Sequence, residues 1–215
     1  MPNTHYAILR VQRIKSRSDL HAATRHGRRE DAGQHYDPER TWFNRHWSAN
    51  RVIKPVDWAT GVDAAVARLG AECRKDATVA AEFFVGASSA YFDPVPGQNA
   101  PFDMEKVTAW EEATMAAFYE RYGRAVVAGR LDLDEGSPHM AICVVPTYTK
   151  ETKHKKATVV SYRKVFGGND RQEARETLIE LQDWYAAKMA PLGLSRGVPK
   201  AITGRTHMTH QEYAR

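Results

Sequence analysis

The sequence predicts an α+β fold, in which a central antiparallel β-sheet is flanked by α-helices. The first observation behind this prediction is a pair of apolar runs, 125–131 and 139–146, joined by the turn residues Gly136-Ser137-Pro138 in the pattern of a β-hairpin. The second is a pair of long segments, 104–122 and 171–190, whose apolar residues recur at helical spacing. With 215 residues, we expect a single domain over 1–215 with a sizeable core.

The N-terminal half is predicted to contain two strands separated by helical and irregular segments. Residues 5–14 alternate apolar and polar side chains, as a half-buried strand does, whereas 80–87 is an apolar run typical of a buried strand. Between these strands we expect a short helix or loop at 18–30, a loop at 31–58 and a helix at 60–74.

The C-terminal half is predicted to contain long helices on either side of the hairpin. Gly123 follows the helical pattern 104–122 directly and marks its end, since glycine is the preferred residue just past a helix. The other expected elements are a strand at 157–165, a loop at 191–204 and a short polar terminal helix carrying His207 and His210.

The charge balance is moderately basic. Lys and Arg total 31 against 26 for Asp and Glu, a net charge of +5, which many proteins share and which indicates phosphate-bearing partners only weakly. The placement of the cations is more informative, because they cluster near the N-terminus and at 153–156, where they could neutralise a DNA backbone or form a solvated surface. The N-terminal cluster consists of Arg10, Arg13, Lys15, Arg17, Arg25, Arg28 and Arg29.

Cysteine usage and hydropathy bear on the compartment. Cys73 and Cys143 are the only cysteines and lie far apart in sequence, so we expect no disulfide framework and a reducing, cytoplasmic location. No apolar stretch approaches the length that crosses a bilayer, and the N-terminus lacks the core of a signal peptide. We therefore expect no membrane partner.

The predicted hairpin carries acids and a histidine to both sides of its turn. With a side-chain period of two, Arg130, Asp132 and Asp134 share one face of the first strand, and His139 shares a face of the second with Ala141. If the two faces coincide, Asp132 and His139 point into one site, where a carboxylate and an imidazole suit Mg²⁺, Mn²⁺ or Zn²⁺. Ordinary turn chemistry is the alternative, since Asp-Glu-Gly-Ser-Pro is also a common turn sequence.

The hairpin resembles the third motif of the Mob/Pre plasmid mobilisation relaxases, the MOBV class, whose pattern is His-x-Asp-Glu-x-x-Pro-His-x-His. This resemblance implies the fold of the HUH single-strand endonucleases, in which an antiparallel sheet carries paired metal-binding histidines on its central strands. It also implies an enzyme that nicks one strand of a plasmid transfer origin and stays bound to the 5′ end. The resembling segments are 6–15, 23–29, 74–77, 110–146 and 200–215, which span essentially the whole domain.

The resemblance implies a role for individual residues of this sequence. His26 falls where the family has its proposed nucleophilic histidine, and Arg29 follows at the matching spacing. Arg74 and Glu82 match an arginine and an acid that accompany the family's active site. In the hairpin, the matching residues are Asp134, Glu135, Pro138 and His139, and Asn44 matches the asparagine of another motif.

Three positions depart from the family pattern. Arg45 stands where the family has a tyrosine, Asp132 replaces the first histidine of the hairpin motif, and Ala141 replaces the last. Asp132 can still bind a hard cation, whereas Ala141 has no donor atom, so we expect a weakened site of Asp132, Glu135 and His139 that prefers Mn²⁺ or Mg²⁺ to Zn²⁺. Loss of the metal site is the alternative, leaving a protein that binds single-stranded or origin DNA without cleaving it.

The expected chemistry is attack of the His26 imidazole on a DNA phosphate, which splits cleavage and rejoining into two steps. Arg29 is expected to contact that phosphate, and Glu82, which needs a partner such as Arg74 or His26 on so apolar a strand, is expected to orient the ring. His35, His46 and Tyr36 are unmatched alternatives as nucleophiles. The expected DNA contacts are Arg10, Arg13, Arg25, Asn44 and Arg45.

Two further possibilities concern partners and scaffold. Trp42 and Phe43 lie among cations and could stack on unpaired bases, although we favour the alternative that they pin a long loop to the core. The expected partner is DNA, as a single strand or a hairpin transfer origin. A homodimer is a further possibility. An RNA- or nucleotide-processing enzyme on a similar scaffold is a third functional hypothesis.

Overall fold

The structure is a computed structural model that describes residues 4–31, 35–48, 57–75, 77–198 and 204. The chain contains both strands and helices. In chain order they are β1 (His5–Ile14), α1 (Arg17–Gly27), β2 (Arg45–Ser48), α2 (Trp58–Leu69), β3 (Ala80–Ala87), α3 (Met104–Tyr122), β4 (Val126–Asp132), β5 (His139–Val144), β6 (Thr147–Glu151), β7 (Lys156–Val160), α4 (Arg171–Met189) and β8 (Leu194–Arg196).

A six-stranded sheet in the order β2-β4-β5-β3-β1-β8 forms the centre of the molecule. Its neighbouring strands are antiparallel except for β8, which runs parallel to β1. Strands β6 and β7 form a separate two-stranded hairpin. The predicted α+β class, with a central antiparallel sheet flanked by helices, is therefore confirmed.

The alternation of side chains along the strands gives the sheet two faces with separate apolar cores. One face presents Phe83, Val85 and Ile142 to a core that includes residues of α3 and α4. The other face presents smaller side chains, Ala141 and Cys143 among them, to a core built with residues of α1 and α2. Because successive residues point to opposite faces, this arrangement places the side chains of even-numbered residues of β1 and β3, and of β4 after its bulge at 126–128, on the side of α1.

Local sequence signals explain where the helices begin. Ser16 and Asp19 form a capping box at the start of α1, in which each side chain accepts a hydrogen bond from the other's backbone N–H. The carboxylates of Asp57, Asp103 and Asp170 cap α2, α3 and α4 by accepting hydrogen bonds from backbone N–H groups of the first turn. These caps satisfy donors that a helix start leaves without intrahelical partners.

Several predicted boundaries differ from the structure. Helix α2 ends at Leu69 instead of residue 74, because Gly70 adopts a left-handed conformation with φ of 57°. Strand β7 ends at Val160 instead of residue 165, and the chain then makes a π-helical turn over Arg163–Gly167. The predicted terminal helix with His207 and His210 lies outside the described residues.

Three strands were absent from the sequence prediction. Strands β2 and β8 lie in segments predicted as loops, and β6 precedes the predicted strand 157–165. Strands β2 and β8 have four and three residues and lie at the sheet edges, so pairing with a neighbour and not their own pattern defines them. Among the described residues, no helix is both long and apolar enough to cross a membrane.

Two buried tyrosines provide a test of how hydrogen bonding stabilises the core between α3 and α4. The Tyr185 hydroxyl accepts a hydrogen bond from Trp110 Nε1 at 2.9 Å and lies 3.0 Å from Thr114 Oγ1. The Tyr122 hydroxyl is also buried, but it forms no hydrogen bond within the described part of the chain. Removal of the Tyr185 hydroxyl therefore breaks hydrogen bonds to Trp110 and Thr114, whereas removal of the Tyr122 hydroxyl breaks none among the described residues.

We expect Tyr185→Phe to lower the free energy of unfolding by about 1–3 kcal/mol, because it leaves the buried Trp110 N–H without its hydrogen-bond acceptor. Tyr122→Phe, the matched control, should change it by less than about 0.5 kcal/mol, since no partner loses a hydrogen bond. Urea unfolding of both variants measures the difference. Equal losses in the two variants would contradict this assignment.

Candidate active site at the β4–β5 turn

Helix α1 delivers His26 and Arg29 to one end of the sheet. The helix ends at Gly27, and Arg29 then adopts a left-handed backbone with φ of 56°, while its N–H donates to the His26 carbonyl at 2.9 Å. A non-glycine residue in this conformation costs on the order of 1 kcal/mol, which surrounding contacts must offset. The tight turn directs the Arg29 guanidinium back beneath the His26 side chain, from which its Nη1 lies 3.3 Å away.

Strands β4 and β5 deliver the acids and His139 to the same end. Their register pairs Asp132 with His139, so the two side chains share a face as the period of two predicts. The turn that follows β4 carries Asp134 and Glu135. Asp134 is fully buried, and its Oδ2 accepts a hydrogen bond from Thr41 Oγ1 at 2.8 Å.

The Arg29 guanidinium joins these two structural parts. It makes a bidentate contact with Asp134, with Nη2 2.5 Å from Oδ1 and Nε 2.9 Å from Oδ2. The same Nη2 lies 3.2 Å from Asp132 Oδ1 and 3.2 Å from Glu135 Oε1. Burial alone would lower the pKa of Arg29, but the three carboxylates outweigh it and raise the pKa. Arg29 is thus permanently charged and fully engaged by acids.

His26 is held by carboxylates on both ring nitrogens. Nδ1 lies 2.8 Å from Asp31 Oδ2, and Nε2 lies 3.5 Å from Glu135 Oε1. The interaction with Glu135 raises the pKa of His26, against the opposing effect of burial. If Nδ1 carries the proton shared with Asp31, the Nε2 lone pair faces the interior of the cluster.

Asp132, Glu135 and His139 bring three potential metal ligands within 4.8 Å of one another. The His139 Nε2 lies 3.4 Å from Asp132 Oδ2 and 3.7 Å from Glu135 Oε2. Its Nδ1 lies 3.0 Å from the Ser137 carbonyl, a geometry in which Nδ1–H donates and Nε2 stays available as a ligand. His139 also stacks on Phe84, which fixes the ring plane.

Two carboxylate oxygens of this group have ion-pair contacts but no hydrogen bond. Asp132 Oδ1 and Glu135 Oε1 are buried and form no hydrogen bond among the described residues, although each lies 3.2 Å from Arg29 Nη2. Burial alone would raise the pKa of Asp132, but the charges of Arg130 and His139 hold it well below the usual range. The carboxylate is therefore ionised, and buried anionic oxygens of this kind normally coordinate a metal or pair with a cation.

Arg130 lies beside Ala141 on the neighbouring strand. Ala141 is the position that matches the last histidine of the hairpin motif. The register pairs Arg130 with Ala141, and the Arg130 side chain is buried. Its Nε donates to Asp132 Oδ2 at 2.8 Å, and its Nη1 donates to the Ala23 carbonyl of α1 at 3.0 Å. A Cβ at Gly27 would lie 3.1 Å from Arg130 Cδ, so the small residue lets α1 approach closely. Arg130 thus competes for one of the expected metal ligands.

Glu82 and Arg74, which were expected in the catalytic group, lie away from His26 and His139. Glu82 lies on β3 four residues from Gly86, the partner of His139, a separation of about 13 Å along the strand. Its partner is Gln12, whose Nε2 donates to Glu82 Oε2 at 2.7 Å, and not Arg74 or His26 as expected. The His26 ring is oriented by Asp31 and Glu135 instead.

The expected DNA-contacting residues separate into structural and exposed groups. Asn44 Oδ1 accepts a hydrogen bond from the Leu133 N–H at 2.7 Å, and Arg45 pairs with the buried Glu111, so both stabilise the fold near the site. In the β1–β3 register Arg10 is opposite Phe84, and its side chain lies on the same face of the sheet as His139. The Arg13 side chain lies on the opposite face. Arg25 is exposed on α1.

Sequence reasoning missed contributions from the segment predicted as a loop. Asp31 and Thr41 hold His26 and Asp134, and the His35 ring stacks on the His26 ring with centroids 5.2 Å apart. No periodic pattern marks these residues, because their positions depend on the loop's path. Arg130 could have been found, since it shares a strand face with Asp132 by the same period of two.

Comparisons with known proteins agree with this architecture. Residues 3–215 match the Mob_Pre family, described as plasmid recombination enzyme. A curated relative, the 65 kDa protein of Zymomonas mobilis, is 30% identical over 199 residues, which cover 92% of this chain. The chain spans about 30% of the length of that relative.

Solved structures of the MobM relaxase domain, assigned to MOBV and Mob_Pre, have the same fold. A manganese-bound structure of MobM with plasmid pMV158 oriT DNA, determined at pH 5.5, is 24% identical to this chain with a TM-score of 0.71, covering 97% of this chain and 98% of that one. A structure of MobM with a 26-nucleotide oriT DNA is 21% identical with a TM-score of 0.60, covering 97% and 99%. The chain therefore belongs to the Mob_Pre family of plasmid recombination enzymes and has the fold of the MOBV relaxase domain.

Proposed function

We propose that this domain nicks and rejoins one DNA strand at a plasmid transfer origin, with His26 as the nucleophile. The observation that carries the proposal is the position of His26, whose Nε2 faces Glu135 at the edge of a cluster of metal-ligand type. A half-buried imidazole oriented through its other nitrogen by a carboxylate is the arrangement that an activated nucleophile requires. The family assignment and the DNA-bound MobM structures support the same reaction class.

The proposed step is a transesterification at phosphorus. The neutral Nε2 of His26 attacks the scissile phosphorus, a P–N bond forms, and the P–O3′ bond breaks with its electron pair on the 3′ oxygen, which takes a proton from solvent. The 5′ phosphate then stays on the protein, and attack by a 3′ hydroxyl reverses the step and rejoins the strand. Before the attack, Glu135 accepts the Nε2 proton of a protonated ring, which leaves the Nε2 lone pair free. Asp31, 2.8 Å from Nδ1, then stabilises the positive charge that the attack places on the ring.

Arg29 serves as a positioning residue in this proposal. Its side chain is about 5% exposed and is already surrounded by three carboxylates, so little of it can reach a DNA phosphate. It holds Asp132, Asp134 and Glu135 in place beneath His26. Phosphate contact therefore falls to exposed cations such as Arg25 and Arg28 of the same segment.

A divalent cation fits Asp132, Glu135 and His139, given their converging donors and the two buried carboxylate oxygens that form no hydrogen bond among the described residues. Two carboxylates and one imidazole favour Mn²⁺ or Mg²⁺ over Zn²⁺. When bound, such an ion would polarise the scissile phosphate and stabilise the charge that develops on it. Manganese in the MobM structures supports this assignment.

The second candidate function is binding of origin DNA without cleavage. It is favoured by Ala141, which offers no ligand, and by Arg130, which already engages Asp132. Both changes weaken a metal site relative to the family pattern. Nicking and binding therefore have to be measured separately.

We expect His26→Ala to lower the rate of metal-dependent nicking of supercoiled origin plasmid by at least about 10³-fold, because the nucleophile is absent. The covalent 5′-DNA adduct, seen as a shifted band in denaturing gels, should disappear as well. His21→Ala is the matched control, since His21 lies on the same helix and pairs with Asp57 away from the cluster. An adduct that persists in His26→Ala would transfer the role to another residue, while wild-type binding without nicking would support the second function.

We expect Arg130→Met to bind Mn²⁺ about tenfold more tightly than the wild type, a change of ~1.4 kcal/mol. The substitution frees Asp132 Oδ2 and removes a positive charge 2.8 Å from it. Titration with Mn²⁺, followed by electron paramagnetic resonance of the free ion, measures the affinity. Arg45→Met removes a cation from a different buried carboxylate, Glu111, and should leave the affinity unchanged. Equal or weaker binding in Arg130→Met would refute the competition.

Trp42 is positioned to contact bases near the site. The sequence expectation that it pins the loop is wrong for this residue, because its side chain is 74% exposed, whereas Phe43 packs against the core and stacks with the Trp42 ring. The neighbouring Thr41 is hydrogen-bonded to Asp134, so the ring is anchored beside the acid cluster. An exposed, anchored indole is a suitable surface for an unpaired base.

We expect Trp42→Ala to weaken binding of single-stranded origin DNA about tenfold, because base stacking on an aromatic ring contributes ~1–3 kcal/mol. Trp42→Tyr should keep most of the affinity, since it preserves a flat ring. Fluorescence anisotropy with a labelled oligonucleotide measures both variants. If alanine and tyrosine weaken binding alike, stacking is not the interaction.

A further inference from the structure

A second basic region lies far from the nicking site. It is a cleft of about 900 Å³ between β1, the β6–β7 hairpin, the turn Arg163–Gly167 and the start of α4. Five cationic side chains line this cleft, which we call the α4 cleft, together with one carboxylate, Asp170. The cations are Arg13, Arg74, Arg163, Lys164 and Arg171.

The α4 cleft is separated from His139 both along the sheet and across it. Arg13 lies five residues along β1 from Ile8, which is level with Gly86 and His139, a distance of about 17 Å. Because the residue numbers differ by an odd number, Arg13 also points to the opposite face of the sheet. Arg74, which sequence resemblance placed beside the active site, lines this cleft instead.

The positive charge of the α4 cleft is not compensated within the described part of the chain. Arg163 donates to the carbonyls of Gly168 and Asn169 at 3.4 and 3.2 Å, and Lys164 Nζ lies 3.3 Å from Asn169 Oδ1. These contacts orient the cations without neutralising them. Asp170 uses its carboxylate to cap α4, accepting hydrogen bonds from the backbone N–H groups of the first turn.

Several other arginines of the fold are neutralised by acids. Arg17, Arg121 and Arg196 on the surface each pair with a carboxylate within 3 Å, whereas none of the five cations of the α4 cleft lies within 4 Å of a described carboxylate. Several like charges held close together repel one another unless an anion lies between them. The cleft therefore suits an anionic partner with several charges.

We propose that the α4 cleft binds the phosphodiester backbone of DNA that flanks the nicked segment. This inference rests on the proposed function for the identity of the polyanion, because a domain acting on DNA encounters a chain with regularly spaced phosphates. A single small anion would contact only part of a 900 Å³ cleft lined by five cations, whereas a backbone places successive phosphates along it. The cleft lengthens the binding surface without contributing to the chemistry.

The test compares a long origin oligonucleotide with a short one that covers only a few nucleotides on each side of the nick. The variant Lys164→Gln/Arg171→Gln removes two charges from the cleft, and Arg124→Gln/Arg175→Gln removes two exposed charges outside it as a control. Binding is measured by fluorescence anisotropy in chelator, so that no cleavage occurs, over a range of salt concentrations. Nicking of the same oligonucleotides is measured in parallel with Mn²⁺ in place of the chelator. Matching thermal midpoints establish that the variants are folded.

For the long oligonucleotide, we expect the cleft variant to bind about tenfold more weakly and the slope of log K against log salt to fall by about 1.4–1.8, the value for two lost phosphate contacts. Binding and nicking of the short oligonucleotide should not change, and the control variant should match the wild type. Equal losses in the cleft and control variants, or equal losses on both oligonucleotides, would overturn the inference. If Lys164→Gln/Arg171→Gln does not fold, Arg13→Gln/Arg171→Gln is compared with the same control.

The same experiment keeps the two proposals apart. A wild-type protein that never nicks DNA, yet loses long-oligonucleotide affinity in the cleft variant, refutes the nicking proposal and supports the α4 cleft. A wild-type protein that nicks, with unchanged binding in the cleft variant, supports the nicking proposal and refutes the cleft.

Discussion

The contact of Arg29 with three carboxylates is the interaction on which the site depends. It joins the end of α1, where His26 lies, to the β4–β5 turn, where the acids lie. Three buried carboxylates without this guanidinium would repel one another and lose the stabilisation that offsets their desolvation. The bidentate contact with Asp134 helps to offset the cost of the left-handed backbone of Arg29. The position of His26, the proposed nucleophile, and the ionisation of the acids are therefore coupled through one side chain.

Arg130 adds a second buried cation to this network. It links β4 to α1 through the Ala23 carbonyl and engages Asp132 from the side of Ala141. The site is balanced between two arginines and several acids. The affinity of the proposed metal site therefore depends on how strongly Arg130 competes for Asp132.

The distribution of charge over the whole domain follows from the sheet. Because side chains alternate across it, the acid cluster and the α4 cleft lie at opposite ends and on opposite faces. The N-terminal basic residues, which form one cluster in sequence, are divided between these faces, with Arg10 on one and Arg13 on the other. A DNA chain that contacts both regions would have to pass around an edge of the sheet.

The periodicity of the sequence by itself determined the main strands and helices and the pairing of Asp132 with His139 on one face of the hairpin. The strands 5–14 and 80–87 and the helix 104–122 coincide with β1, β3 and α3, because each buries a regular apolar pattern. The meeting of Asp132 and His139 followed from the period of two within one hairpin. Family resemblance assigned His26, Glu135, Arg74 and Glu82 to one site. The structure brings His26 and Glu135 within 3.5 Å of each other, whereas Arg74 and Glu82 lie away from them.

Only the tertiary structure decided which groups complete the site. Asp31, Thr41 and His35 come from an irregular segment without periodicity, so their contacts depend on the path of the loop and on the acids it meets. The edge strands β2 and β8 exist through pairing with their neighbours and carry no pattern of their own. Ion pairs such as Arg29 with Asp134 join residues more than a hundred positions apart, and no local sequence signal encodes a distance of that kind.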